Sequence, residues 1–184
     1  MKLNLGCWHR YIPGFVHVDL CDMDHIDYKT SIDDLSMFED CSASLIYSSH
    51  SFEYFNRTEA IDVLREWKRV LKDGGVLRLA VPDFDKLILL YEQTNDINKI
   101  LGPLFGQMDI NSNDEDITLY HKTTYNFDSL SSLLEENGFS DVVKYDWKNT
   151  IHKDYDDHSQ AYYPHMDKEN GILLSLNVEA TKND

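Results

Sequence analysis

Eight residues separate Gly6 from Phe15, and that short distance limits what the start of this 184-residue chain can fold into. Residues 2–6 (KLNLG) alternate and stop at a glycine, which reads as a strand running into a turn. Residues 15–20 (FVHVDL) alternate apolar and polar and read as a second strand ending at Asp19. A parallel crossover takes about a dozen residues or more, so no full helix fits between them. The connection must be a compact loop with at most one helical turn, helped by Pro13-Gly14.

Further along, strands and helices alternate. Residues 44–48 (SLIYS) read as a third strand. The segment 56–72 is the clearest helix, with Ala60, Leu64, Trp67 and Leu71 on one face. Asn56 is positioned to cap it with Glu59 three residues on, and Gly74-Gly75 is expected to end it. Residues 76–81 (VLRLAV) form a strand stopped by Pro82. Asp83 opens a helix with Phe84, Leu87, Ile88 and Tyr91 on one face, and Asp128 caps another, carrying Leu130, Leu133 and Leu134 and closed by Gly138. Residues 95–126 read as irregular and polar, 141–147 and 172–181 as the last two strands, and 149–171 as a long charged loop. The expected fold is α/β: a mostly parallel sheet with helices on both faces and an antiparallel C-terminal edge hairpin. A ligand in such a sheet sits at the C-terminal ends of the strands.

Composition narrows the classes of function. A net charge of −16 without a clustered basic stripe repels polyphosphate, so neither nucleic acid nor an anionic membrane is expected as a partner. No apolar run approaches the ~20 residues of a membrane span, and the N-terminus lacks the apolar core of a signal peptide, so a cytoplasmic protein is expected. Cys7, Cys21 and Cys41 contain no CxxC and suggest neither a disulfide framework nor a zinc site. His152, His158 and His165, with Asp154, Asp156 and Asp157 nearby, lie in a long loop that does not guarantee convergence, and no metal site is assigned to them.

The stretches LNLGCW, IPGFVHVDL, LIYSSHSFEYF, REWKRVLKDGGVLRLAVPD, the Gly138-Phe139 pair and the terminal SLNVEATK resemble, in content and order, the class I S-adenosylmethionine-dependent methyltransferases. The likeness covers nearly the whole chain and is greatest to a small bacterial branch that starts almost at the first strand. It implies one Rossmann-like domain over residues 1–184, with a cofactor half at 1–83, an acceptor-side segment at about 95–126 and C-terminal strands within 141–181. The implied cofactor is S-adenosylmethionine, with S-adenosylhomocysteine as product. Asn4, Leu5, Gly6, Cys7 and Trp8 would border its methionine half, and Asp19 and Leu20 its ribose. The backbone at Ile32 and the side chain of Asp33 would lie toward the adenine, and Ser49 and His50 at the reactive end. NAD fits poorly, because the chain reads G-C-W-H-R-Y instead of GxGxxG.

Direct methyl transfer needs a base only where the nucleophile must lose a proton, and His50 and His121 are the expected candidates. Glu53 reads as the start or cap of a short helix. By resemblance, the acceptor would be a small molecule or glycan. A cofactor-binding regulatory protein without turnover is the alternative, motivated by departures from the family pattern: Trp8 at a usual glycine, Ser44 at a usual aspartate, Ser36-Met37 at a usual Pro-Phe, and Tyr54 at a usual histidine. A different nucleotide-binding α/β enzyme is the more distant option.

Overall fold

A computed structural model describes residues 1–112 and 115–183. Its centre is a seven-stranded sheet in the order β3-β2-β1-β4-β5-β11-β8. The strands are β1 (Lys2–Leu5), β2 (Val16–Asp19), β3 (Tyr28–Lys29), β4 (Ala43–Ser49), β5 (Leu71–Pro82), β8 (Phe139–Lys144) and β11 (Ser175–Lys182). Strands β1 to β5 are parallel, and β11 runs antiparallel to both of its neighbours, β5 and β8. The antiparallel pair therefore lies where expected, with the later strand inside and the earlier one at the edge. No described helix is long and apolar enough to cross a membrane.

Among the described residues four α-helices accompany the sheet: α1 (Glu59–Val70), α2 (Phe84–Thr94), α3 (Asn98–Phe105) and α4 (Phe127–Glu136). Asn56 Oδ1 accepts from the amides of Thr58 and Glu59, and Glu59 Oε2 accepts the Asn56 amide at 2.7 Å. This is the reciprocal cap expected from the sequence. The C-terminal end differs from expectation. The chain enters β5 at Leu71, and residues 72–75 bulge out, so that Ala43 pairs with Leu71 but Leu45 with Val76. Gly74, at φ +70°, permits the bulge rather than ending the helix. Asn126 and Ser129, not Asp128, form the capping box of α4. On α2, Leu87 and Leu90 are buried, whereas Phe84, Ile88 and Tyr91 of the expected face are exposed. The segment read as irregular contains α3 and an antiparallel hairpin of β6 (Met108–Ser112) and β7 (Glu115–Leu119).

The two sheet faces are covered by different means. On one, Leu3, Leu5, Ile46, Leu77, Leu79 and Val178 pack with Leu64 and Trp67 of α1 and Leu130 and Leu134 of α4. On the other, Ile12 and Phe15 of the β1–β2 loop pack on Leu45 and Tyr47. Two 3₁₀ turns, Trp147–Asn149 and His158–Gln160, belong to the segment that crosses this second face. The Tyr47 hydroxyl donates to Asp157 Oδ2 at 2.5 Å, and the His152 ring lies 4.1 Å from the Tyr47 ring. One face thus carries α1 and α4, and the other the short 3₁₀ helices. β9 (Tyr162–Tyr163) and β10 (Ile172–Leu173) close this segment as a small ladder.

His152 is fully buried, and neither ring nitrogen has a hydrogen-bond partner among the described residues. Burial holds its pKa below the ordinary histidine value. Unfolded histidine takes up a proton as pH falls through about 6.5, while the folded ring resists it, so stability is lost on acidification below that value. Replacing His152 with Phe keeps the stacking on Tyr47 and removes two orphaned polar atoms. Urea unfolding at pH 5 should show H152F more stable than the parent by about 1–3 kcal/mol, with a smaller gain at pH 8.

Candidate active site

The site lies at the C-terminal ends of β1, β2 and β4 and begins at Gly6. Gly6 sits at φ +65°, and a Cβ there would stand 2.3 Å from Ser51 Oγ. Only glycine meets both conditions. Ser51 approaches so closely because its hydroxyl reaches the carbonyls of Leu5 and Gly6, each at 3.3 Å. The β1 loop and the segment after β4 are thereby locked together.

Asp19, buried at the end of β2, holds the loop from the other side. Its two oxygens accept the amides of Trp8 at 2.7 Å and Cys21 at 2.8 Å. Each oxygen keeps a further lone pair, so the carboxylate can still accept from a ligand. Trp8 occupies its usual-glycine position with the backbone a glycine would use, φ +45°. Its ring is exposed, 4.1 Å from that of His9, and its carbonyl faces His25 Nε2 at 2.8 Å. The side chain therefore does not narrow the cleft.

Helix α1 fixes the third wall. The Trp67 indole N–H donates to the Ile32 carbonyl at 2.7 Å. Arg69 donates to the carbonyls of Leu35 and Phe38 while paired with Glu66 and Asp40. A helix with one apolar face on the sheet thus holds the 31–40 loop with its polar edge.

The cleft so formed is lined by Gly6, Asp19, Leu20, Ser31, Ile32, His50 and Ser51, then by Tyr54, Phe55 and Lys122, and roofed by Met108, Ile110 and Leu119 of the hairpin. Of the residues expected from the sequence, Gly6, Asp19, Leu20, Ile32 and His50 meet in this wall. Asn4 and Leu5 are buried in the sheet, Cys7 is buried with its thiol pKa pushed up to about 12 by burial, and Trp8 faces outward. Asp33 is exposed and accepts the Ser31 hydroxyl, and neither it nor Ser49 lines the cleft. Ser51 and the hairpin roof were missed. The alternation of Met108, Ile110 and then Ile117, Leu119 was the available signal for the hairpin; nothing local marks Ser51.

His50 and His121 converge on a third residue, Glu53. Glu53 Oε1 lies 3.6 Å from His50 Nδ1 and 3.7 Å from His121 Nε2. The 3₁₀ turn Phe52–Tyr54 carries Glu53 inward, fully buried, with neither carboxyl oxygen hydrogen-bonded among the described residues. Burial pushes its pKa up to about 8. Burial holds His50 well below the ordinary histidine value, and neighbouring His158 and His121 add to this. His121 is lowered by burial against the opposing pull of the Pro103 and Leu104 carbonyls. The His121 ring packs edge-on to Tyr54 and fills the space a Cβ on Gly106 would need. Among the described residues, no set of three or more His, Cys, Asp or Glu side chains is arranged to hold a metal ion.

Comparison with known proteins gives the fold. The family model described as "Methyltransferase domain" matches residues 16–79. Demethylmenaquinone methyltransferase of Staphylococcus epidermidis is 27% identical over 129 residues, 61% of this chain and 51% of the relative. The chain thus spans about half the length of the curated relatives it matches. Among solved structures, a SAM-dependent methyltransferase of Methanosarcina mazei superposes with a TM-score of 0.57 at 15% identity, covering 99% of this chain and 92% of the other. The 1,6-didemethyltoxoflavin-N1-methyltransferase of Burkholderia thailandensis, solved with 1,6-didemethyltoxoflavin and S-adenosylhomocysteine bound, gives 0.55 at 11% identity, covering 100% and 71%. These likenesses show the fold. That fold is the one shared by the class of S-adenosylmethionine-dependent methyltransferases among these structures, and residues 16–79 of this chain match the methyltransferase domain.

S-adenosylmethionine, the cofactor of that class, suits the residues present. Gly6 offers bare backbone, Asp19 a carboxylate with spare acceptor capacity, and the lining no arginine. Its one lysine, Lys122, is paired with Glu59 at 3.0 Å, so nothing in the wall calls for a phosphate. Trp8→Gly should leave S-adenosylhomocysteine affinity within about threefold by calorimetry, because the ring lies outside the cleft. Gly6→Ala should weaken it at least tenfold, and should also lower stability by about 1–3 kcal/mol through the left-handed backbone alone.

Proposed function

We propose that this chain binds S-adenosylmethionine in the cleft between Gly6, Asp19 and Ile32 and transfers its methyl group directly to a small-molecule or glycan-type acceptor. The observation that carries the reading is that half-buried, neutral His50 stands in the cleft wall at the C-terminal end of β4, with His121, from the segment after β7, converging on the same carboxyl, Glu53. Cofactor and base are thereby set on one strand end. S-adenosylmethionine supplies an electrophilic methyl on a sulfonium. What remains for the protein is largely orientation, worth roughly 7–11 kcal/mol when geometry is fixed.

In this reading Gly6 and Ser51 seat the methionine half, Asp19 accepts from the ribose, and the Ile32 loop borders the adenine. Asn4, Leu5 and Cys7 support this wall from behind, and Asp33 and Ser49 lie at its margins. The hairpin roof of Met108, Ile110 and Leu119 excludes water from the apolar part of the cleft. His50 and His121 take the proton of the attacking group. Three unpaired cysteines suit a cytoplasmic location.

Calorimetric titration with S-adenosylmethionine, S-adenosylhomocysteine and NAD tests the first half. Both S-adenosyl compounds should bind and NAD should not; silence from both ends the proposal. Methyl transfer from labelled cofactor across small-molecule and glycan acceptors tests the second half. The double variant His50→Ala/His121→Ala should retain binding and lose about 10²–10⁴ in turnover. Binding without transfer to any acceptor would favour the regulatory reading.

A further inference from the structure

The protons around Glu53 can be located from the hydrogen-bond partners alone. The Ser159 carbonyl can only accept, so Asn177 turns its amide nitrogen toward it, at 2.9 Å. Asn177 Oδ1 then faces Ser175 Oγ at 2.9 Å and takes that hydroxyl's single proton. Having given its proton away, Ser175 Oγ must accept from His50 Nε2, 3.0 Å distant. His50 is neutral, since burial holds its pKa well below the ordinary value, so its Nδ1 carries a lone pair. That lone pair faces Glu53 Oε1.

His121 reaches the same state by a different route. Its Nδ1 lies 3.1 Å from the Pro103 carbonyl, which can only accept, so Nδ1 bears the proton. Nε2 is left with a lone pair, again facing Glu53 Oε1. Two lone-pair nitrogens and a carboxyl oxygen therefore surround one point. Each nitrogen lies just beyond hydrogen-bond length from Glu53 Oε1, and no described residue donates to either Glu53 oxygen. A single proton on Glu53 can serve one nitrogen at a time. The other nitrogen stays an acceptor, and His50 forms part of the cleft wall.

We propose that His50, Glu53 and His121 form a proton-poor nest, two lone-pair nitrogens sharing one carboxyl proton, that selects a methyl acceptor whose nucleophile is a hydrogen-bond donor, a hydroxyl or an amine, and receives the proton it gives up. This rests on the methyltransferase reading of the cleft and adds the acceptor's chemistry to it. The nucleophile's lone pair forms the new bond to the methyl carbon while the carbon–sulfur pair departs on sulfur. The O–H or N–H proton passes to His50 Nδ1 and is later released to solvent. A carboxylate acceptor would set its own lone pairs and charge against the nitrogen lone pair that the Glu53 proton leaves free, and the nest rejects it. Glu53 is a positioning residue: it lies behind the histidines and acts through them.

The groups facing Glu53 are His50 from the end of β4, His121 from the segment after β7, its neighbour Tyr54, and Tyr125 before α4. His158 faces His50 from the segment crossing the second sheet face. Both tyrosines are held neutral by burial, and His158 is likewise held below the ordinary histidine value by burial. Glu53 is thus the one member of the set whose ionisation falls near pH 8.

The test is ¹⁵N-histidine NMR on the full chain with S-adenosylhomocysteine. At pH 7 His50 should be the neutral Nε2–H tautomer and His121 the neutral Nδ1–H tautomer. Their lone-pair nitrogens should show an inflection near pH 8 that Glu53→Gln abolishes while thermal unfolding shows the variant folded. Methylammonium chloride, a donor-only probe, should shift both lone-pair resonances saturably. Sodium acetate at the same ionic strength, an acceptor-only probe, should not. The opposite tautomers, an imidazolium at pH 7, an inflection retained in E53Q, or acetate acting in place of methylammonium would each overturn the nest. Loss of activity on chelation with EDTA, restored by a divalent cation, would assign the three acceptors to a metal and overturn it equally. Failure of S-adenosylhomocysteine to bind in calorimetry would remove the methyltransferase reading instead, and leaves the tautomer result readable without ligand.

Discussion

The brevity of the β1–β2 connection governs the rest of the molecule. Residues 6–15 leave no length for a helix, so the sheet face on that side has no α-helix from this crossover to lie under. Ile12 and Phe15 cover only the nearest part of it. The remainder is Tyr47, Arg78, Glu179 and Asn177, a face too polar to be sealed by an apolar helix. A segment rich in polar groups suits it better. Residues 145–171 supply Asp157 to the Tyr47 hydroxyl and the Ser159 carbonyl to Asn177, while Arg78 pairs with Glu179 across the strands at 2.9 Å. Buried polar groups of this kind are favourable only when partnered. Among the described residues, the His152 ring nitrogens and the Tyr145 hydroxyl are buried there without a partner.

The same covering segment reaches into the candidate site. Ser159 orients Asn177, Asn177 orients Ser175, and Ser175 sets which nitrogen of His50 bears the proton. A segment whose first requirement is to close a bare sheet face thereby determines the protonation of a residue at the end of β4. On the opposite face, α1 closes the core with Leu64 and Trp67 while the Trp67 indole holds the Ile32 carbonyl. Both sides of the cleft are therefore positioned by elements whose apolar or polar faces already had to be buried. The site needs little dedicated scaffold of its own.

Much of this was legible in the sequence where a local rule sufficed. The alternation of FVHVDL, the Asn56–Glu59 cap and the absence of a helix before Phe15 each depend on residues within a turn or two of one another. Gly6 and Asp19 were found for the same reason: each ends a strand whose period is plain. The hairpin of Met108–Ser112 and Glu115–Leu119 was not seen, because polar residues alternate with few apolar ones and the strands pair only with each other. Phe84, Ile88 and Tyr91 mislead in the other direction. Their spacing is helical, but α2 buries Leu87 and Leu90 against α3 and the β9–β10 ladder, so the apolar stripe faces away from the contact.

Glu53 shows where local reading stops. As a sequence feature it is an acid that starts or caps a short helix, whereas it is the middle residue of the turn Phe52–Tyr54. Its chemistry arises from two histidines 68 and 3 residues away in the chain and from a serine near the C-terminus that fixes one of them. The turn carries it inward because Phe52 is stacked between Trp67 and Tyr125 in the core, which leaves the next side chain no route to solvent. A carboxylate placed there without a cationic neighbour is stable only when it binds a proton, which is why its pKa rises. An acid held protonated between two lone-pair nitrogens is poorly suited to structural ion pairing. It is well suited to sharing a proton with whatever donor enters beside His50.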